Sequence, residues 1–239
     1  MKIKCNDLEN HIIRMIKTRI NELIFKTYKT RFDDFNGNIS IRMERSSSKI
    51  FNDNFSMMKG HITHKYVKNV FDNFERLNNS MFAATYNGYS KDGCVIISKL
   101  SIVIYIDFIN RFLLVNINAF DAVMRMIDIS IRHEVGHLID FMSFNGMTEE
   151  EYKKDNQRNT EELEMFNEYL LSLDNEEEDP DTFYRMYYET INRERRANEN
   201  VGLTWKDFCE TDKQIRNDDD CIIEINKIKD DDDGNKGTD

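Results

Sequence analysis

Five consecutive residues, His133-Glu134-Val135-Gly136-His137, set two imidazoles four positions apart with a carboxylate beside the first. On a helix that spacing puts both rings on one face. Neutral imidazoles so placed bind zinc, and a glutamate between them can take a proton from a water on the metal. With 5 His in 239 residues, a chance match is expected roughly 0.01 times per chain of this composition, so the pattern is informative. The chemistry it predicts is metal-assisted hydrolysis, with His133 and His137 as ligands and Glu134 as base.

These residues need a buried helix to hold them. From Asp121 to Met142, the apolar residues Val123, Met124, Ile127, Ile131, Val135, Leu138 and Met142 recur at steps of three and four, the stripe of a core helix. Gly136 costs such a helix about 1 kcal/mol relative to Ala, and it lets another segment approach closely.

A catalytic zinc generally takes three protein ligands and keeps one position open. No histidine follows His137, so the third ligand is expected to be a carboxylate. Glu194 has the best setting. It opens the segment ERRAN, in which Ala197 is small enough for close helix packing and Asn198 shares the face of Glu194. From there Asn198 is expected to hydrogen-bond the free nitrogen of a ligand histidine. Glu189, Glu199, Glu162 and Glu161 remain as alternatives. Asp140, three residues past His137, either accepts a hydrogen bond from a ligand histidine or following loop, or marks the solvent end of the helix. His61 and His64 form a weaker metal pair with no neighbouring acid, and His11 reads as a surface residue.

The surroundings read as an α+β fold. Residues 8–28 carry a helical stripe of Leu8, Ile12, Ile16, Ile20, Leu23 and Phe25, and residues 65–78 carry another. A turn at Asn36-Gly37 precedes a short strand from Ile39 to Met43. Between Met81 and Ile117 four strands are expected: MFAATY, CVIIS, SIVIYID and FLLVNI, with turns at Asn87-Gly88 and Asp92-Gly93. A sheet delivered just before the metal helix can lay an extended peptide across the metal, on SIVIYID or FLLVNI as its edge. Beyond Met142 a polar loop or lid is expected, with Thr148 and Glu151 in a capping-box pattern that can start a short helix. A helix follows over 160–173, then a solvated acidic linker over 175–181. Helical character resumes over 182–200 with a break near Thr190 to Asn192, and Leu203, Trp205 and Phe208 are expected to pack. We divide the chain into one catalytic domain, 1–210, and an acidic tail, 211–239. Within the domain, 1–80 is helical, 81–142 holds the sheet and active helix, and 143–210 carries the third ligand.

Composition narrows the function. A hydrophobic content of 40% with 16 Phe and 10 Tyr predicts a folded chain. The net charge of -11 argues against an electrostatic nucleic-acid partner. Cys5, Cys94, Cys209 and Cys221 form no CxxC pair, so reduced thiols in the cytoplasm are expected rather than a disulfide framework. No signal-peptide pattern or membrane span is visible. Oligomeric state is not encoded in any readable pattern.

HEVGHLID followed at a distance by ExxAN resembles the compact gluzincin metallopeptidases. HEVGHLID is similar to the catalytic domain of the anthrax-lethal-factor-like peptidases. YYETINRERRAN is similar to a segment seen there and in the phage and mobile-element peptidases related to the immunity-repressor-cleaving enzymes. The resemblance runs from Met81 to Asn200, and the pentad is its most specific element. It implies a zincin-like fold with one Zn2+ per chain, held by His133, His137 and Glu194, with Glu134 as catalytic base. The implied activity is endopeptidase cleavage of a protein or peptide held extended. Asn198 stands where the thermolysin-like pattern has an acid, and so would orient its histidine without strongly polarising it. Tyr187 or Tyr188 could supply a hydroxyl to the oxyanion, although packing is their simpler role. The competing expectation is a catalytically inactive binding or structural protein on the same scaffold, motivated by Asn198 and contradicted by the intact Glu134.

Overall fold

The computed structural model describes residues 5–45, 81–172 and 179–217. The second expected helix (65–78), His61, His64 and the far C-terminal tail lie outside them. Within the described residues the fold is α+β, with a three-stranded mixed sheet and a larger helical part.

Helix α1 (Cys5–Glu22) buries Ile12, Ile16 and Ile20 and ends in a π turn, Leu23–Thr27. That turn carries Leu23 and Ile24 inward and leaves Phe25 56% exposed, because its wider pitch breaks the period that the stripe assumed. His11 is exposed. After the short α2 (Lys29–Phe32), strand β1 (Asn38–Glu44) lies parallel to β3 (Cys94–Tyr105), and β2 (Phe82–Lys91) lies antiparallel on the other side of β3. The order β1-β3-β2 makes β3 central and β2 an edge.

Three strand expectations are corrected here. CVIIS and SIVIYID form one strand, β3, so SIVIYID is the middle of the sheet and not its edge. Asn87-Gly88 is a bulge within β2 and the hairpin turns at Asp92-Gly93, where both residues have positive φ as a two-residue loop requires. FLLVNI belongs to helix α3 (Ile106–Val115) and the 3-10 turn after it. Ile106, Ile109 and Leu113 are buried at helical spacing, so the run is the buried side of a helix whose period a six-residue window hides.

Helix α4 (Phe120–Met142) is the central element and carries the pentad. Val123, Ile127, Ile131, Val135 and Leu138 are all at most 2% exposed, as the stripe predicts. Arg19 of α1 donates to Asp128 of α4 at 2.6 Å and fixes the two helices side by side.

The expected short helix at the capping box and the expected helix over 160–173 are one 24-residue helix, α5 (Glu149–Ser172), so the loop or lid between them is helical instead. Thr148 and Glu151 close the capping box: the Thr148 N–H reaches Glu151 Oε2 at 2.9 Å, and the Glu151 N–H reaches Thr148 Oγ1 at 3.3 Å. Pairs four apart, such as Lys154 with Glu150 and Arg158 with Glu162, support its solvent face. Asp179 caps α6 (Pro180–Arg185), so this end of the expected linker starts a helix. A π turn (Met186–Thr190) and extended Ile191 provide the expected break before α7 (Asn192–Val201). Gly202, with φ 67°, ends α7: Leu203 N–H bonds Asn198 O and Gly202 N–H bonds Glu199 O. A last helix, α8, covers 205–217 and crosses the expected domain boundary at 210, with Ile215 only 4% exposed.

Candidate metal centre

Helix α7 crosses α4 at the pentad. A Cβ built on Gly136 would fall 2.0 Å from Ala197 O, so only glycine permits this approach, and Ala197 is fully buried opposite it. Asn200 donates to Gly136 O at 3.2 Å and Arg132 to Val201 O at 3.0 Å, tying the helices on either side of the crossing.

The crossing delivers Glu194 to the histidines. Glu194 Oε2 lies 3.0 Å from His133 Nε2 and 3.3 Å from His137 Nε2. The three ligand atoms lie within 4.8 Å of one another, a group that could hold a metal ion. Zinc bonds of about 2.0–2.2 Å at tetrahedral angles place neighbouring donors about 3.3 Å apart, close to the observed separations, so the donor set fits such an ion.

Asn198 Oδ1 lies 2.8 Å from His133 Nδ1. In the tautomer protonated at Nδ1, Asn198 accepts that proton and Nε2 is free to bind a metal; protonated at Nε2, the ring donates to Glu194 instead. The carboxylate alternatives are engaged elsewhere. Glu162 accepts from the Asn192 N–H, Glu161 from Gln157, Glu199 from Arg195, and Glu189 is exposed.

Charge reinforces the cluster. Burial works against the charged form of His137, but Glu194, by charge and by hydrogen bond, outweighs it with help from Glu134 and Asp140 and raises the imidazole to about 9. The carboxyl of Glu194 is driven up by burial, yet His137 and His133 hold it well below the usual carboxylate range. Burial also keeps the phenols of Tyr187 and Tyr188 protonated.

Comparison with protein-family models, with characterised proteins and with solved structures finds no match. The function must be argued from the site itself.

Glu134 stands apart from the triad and accepts the Ala84 N–H at 2.6 Å. Ala84 lies on the outer side of β2, so the sheet edge that faces the metal cluster is β2 and neither expected strand. Sequence reading missed this contact because a backbone donor has no residue-type signature. A cleft of about 550 Å3 runs beside Glu134 and His137, between Met81–Ala84 of β2 and an aromatic wall. Tyr184, Tyr188 and Phe208 stack in that wall, with Tyr188 and Phe208 at 4.2 Å between centroids. Tyr188 meets the His133 ring edge-on at 5.2 Å, while Tyr187 packs on Phe166. Both tyrosines line the cleft.

Asp140 takes a partner other than a histidine. It is 3% exposed and accepts from Arg196 of α7 at 2.6 and 3.1 Å. Arg196 continues to Asp155 of α5, which also holds Arg193. The signal for this network was present in Arg193 and Arg196, two basic residues beside Glu194 in a helix that packs on the core. Among the described residues no helix is long and apolar enough to cross a membrane.

Proposed function

We propose that the protein is a zinc-dependent endopeptidase with a zincin-like fold. The observation that carries this reading is that His133, His137 and Glu194 converge while Glu134 stays outside the triad, in the cleft and bonded to the edge of β2. A site that only bound metal for stability would not require a carboxylate in the cleft beside the metal.

His133, His137 and Glu194 would hold zinc, which supplies Lewis-acid polarisation and a water of lowered pKa. The remaining chemistry belongs to the chain. Glu134 takes the proton of the attacking water and delivers it to the leaving amine, and its bond to Ala84 sets its direction. The outer N–H and C=O groups of β2 can pair with an extended substrate backbone. The aromatic wall excludes water and receives apolar side chains. This reading follows the resemblance to the gluzincin metallopeptidases, which makes a protein or peptide the substrate.

The test is cleavage of a random peptide library by zinc-loaded protein, with a chelator arm and zinc restored. Cleavage that stops with chelator and returns with zinc is expected. Cleavage insensitive to chelator, or none in the zinc-loaded protein, would overturn the proposal.

A further inference from the structure

Glu194 is held by a helix that cannot hold itself. Helix α7 has ten residues and Glu194 is the third, in its first turn. Isolated helices of that length are marginal in water, and first-turn N–H groups lack partners within the helix. Ile191 at the N-cap makes no side-chain cap bond. In addition, Arg193 and Arg196 lie within two residues of Glu194, and Arg193 lines the same cleft. A guanidinium left free there would compete with a metal ion for the carboxylate.

Helix α5 answers both problems from outside. Glu162 Oε2 accepts the Asn192 N–H at 2.7 Å, giving α7 from another element the cap its own sequence lacks. Asp155 accepts from Arg193 at 2.6 Å and from Arg196 at 3.0 Å, and Asn156 adds a bond to Arg193 at 3.0 Å. Asp155 and Glu162 are seven apart and therefore share one face of α5. Arg196 also reaches Asp140, one turn beyond His137, so the same chain of charges links α5 to both ligand helices.

We propose that Asp155 and Glu162 are positioning residues of the metal centre. They fix the first turn of α7 and draw Arg193 and Arg196 away from Glu194, and so set the affinity with which the triad takes zinc. The inference rests on the zinc reading above but does not require that the site cleave peptides.

The test is a competition titration of zinc against a colorimetric chelator, using the full chain stripped of metal, well below its melting midpoint and with folding checked by circular dichroism. Glu162→Ala and Asp155→Asn are expected to weaken zinc binding about 10- to 100-fold, the range seen when groups that orient metal ligands are removed. Glu162→Gln keeps an acceptor for the Asn192 N–H and is expected to recover part of the loss. Glu161→Ala, at an exposed neighbour bonded to Gln157, is expected to bind as the parent does. Unchanged zinc affinity in folded Glu162→Ala, even with a lowered melting midpoint, would reduce these residues to a structural role and overturn the inference. Glu162→Ala also decides the matter if Asp155→Asn does not fold. A parent protein that binds no zinc, or a Glu194→Ala variant that binds it undiminished, would instead overturn the metal site itself.

Discussion

In the proposed zinc site a proton and a metal ion would compete for the same three side chains. Glu194 strengthens the hold of His137 on its proton, to about 9, while the ligand form must be neutral. A raised folded pKa stabilises the protein below the unfolded value of about 6.5, and that contribution is lost as pH rises through about 9. Glu194 runs the other way: its depressed pKa stabilises the fold above the usual carboxylate range and the contribution is lost as pH falls. Zinc affinity should therefore climb from pH 6.5 to 9, with roughly one proton released from His137 per zinc bound near neutrality. Calorimetry in buffers of different ionisation enthalpy counts that proton, and a count of zero would contradict the coupling. The ligands themselves were legible, because spacing on a helix fixes the face that two histidines share. The Asn198 bond was legible for the same reason. The partners of Asp140 and Glu134 were not, since Arg196 reaches Asp140 across a helix crossing that periodicity does not reveal and the partner of Glu134 is a main-chain N–H.

At the level of elements, the site depends on how closely α4 and α7 approach. Gly→Ala in an ordinary helix gains about 1 kcal/mol of propensity. Here the added methyl would meet Ala197 O at 2.0 Å, so Gly136→Ala should destabilise by about 1–3 kcal/mol instead. It should also weaken zinc binding, because Glu194 rides on the displaced helix. Chemical denaturation with and without zinc measures both effects, and a stabilised Gly136→Ala variant would refute the close crossing. The periodicity of α4 and the break before α7 could be read directly, since one amphipathic stripe spans the first and the pattern fails at the second. Helix α5 could be read at its two ends, from the capping box at Thr148 and Glu151 and the stripe over 160–173, but not through its middle, which buries no apolar residue before Phe166 and is supported by pairs of charges. FLLVNI was misread because a run of six residues, five of them apolar, does not distinguish a buried helix from a buried strand.

Across the whole molecule, the described helices enclose the cleft from two sides, and α8 forms part of the wall through Phe208, Asp212 and Arg216. Lys213 pairs with Asp181 of α6, and Ile215 is buried in the core. A chain ending at 210 should lose at least the burial of Ile215, worth about 1.5–3 kcal/mol. Its melting midpoint should fall accordingly, and an unchanged midpoint would show that α8 is dispensable. The boundary at 210 was placed where acidic composition rises, but composition does not reveal that Ile215 faces inward from the otherwise polar last turns of that helix. The α+β class was readable because strand-like and helix-like periods occupy separate stretches of the sequence. Which strand forms the edge depended on pairing order, and single-strand patterns carry no information about that.

The central claim is that Glu134 is the base of a peptide-cleaving zinc site. Its most direct test compares peptide cleavage by the parent and by Glu134→Gln, with zinc content and fold matched. The account predicts full zinc occupancy in both and a loss of at least about 100-fold in cleavage rate for Glu134→Gln. Cleavage by Glu134→Gln at the parent rate would contradict it.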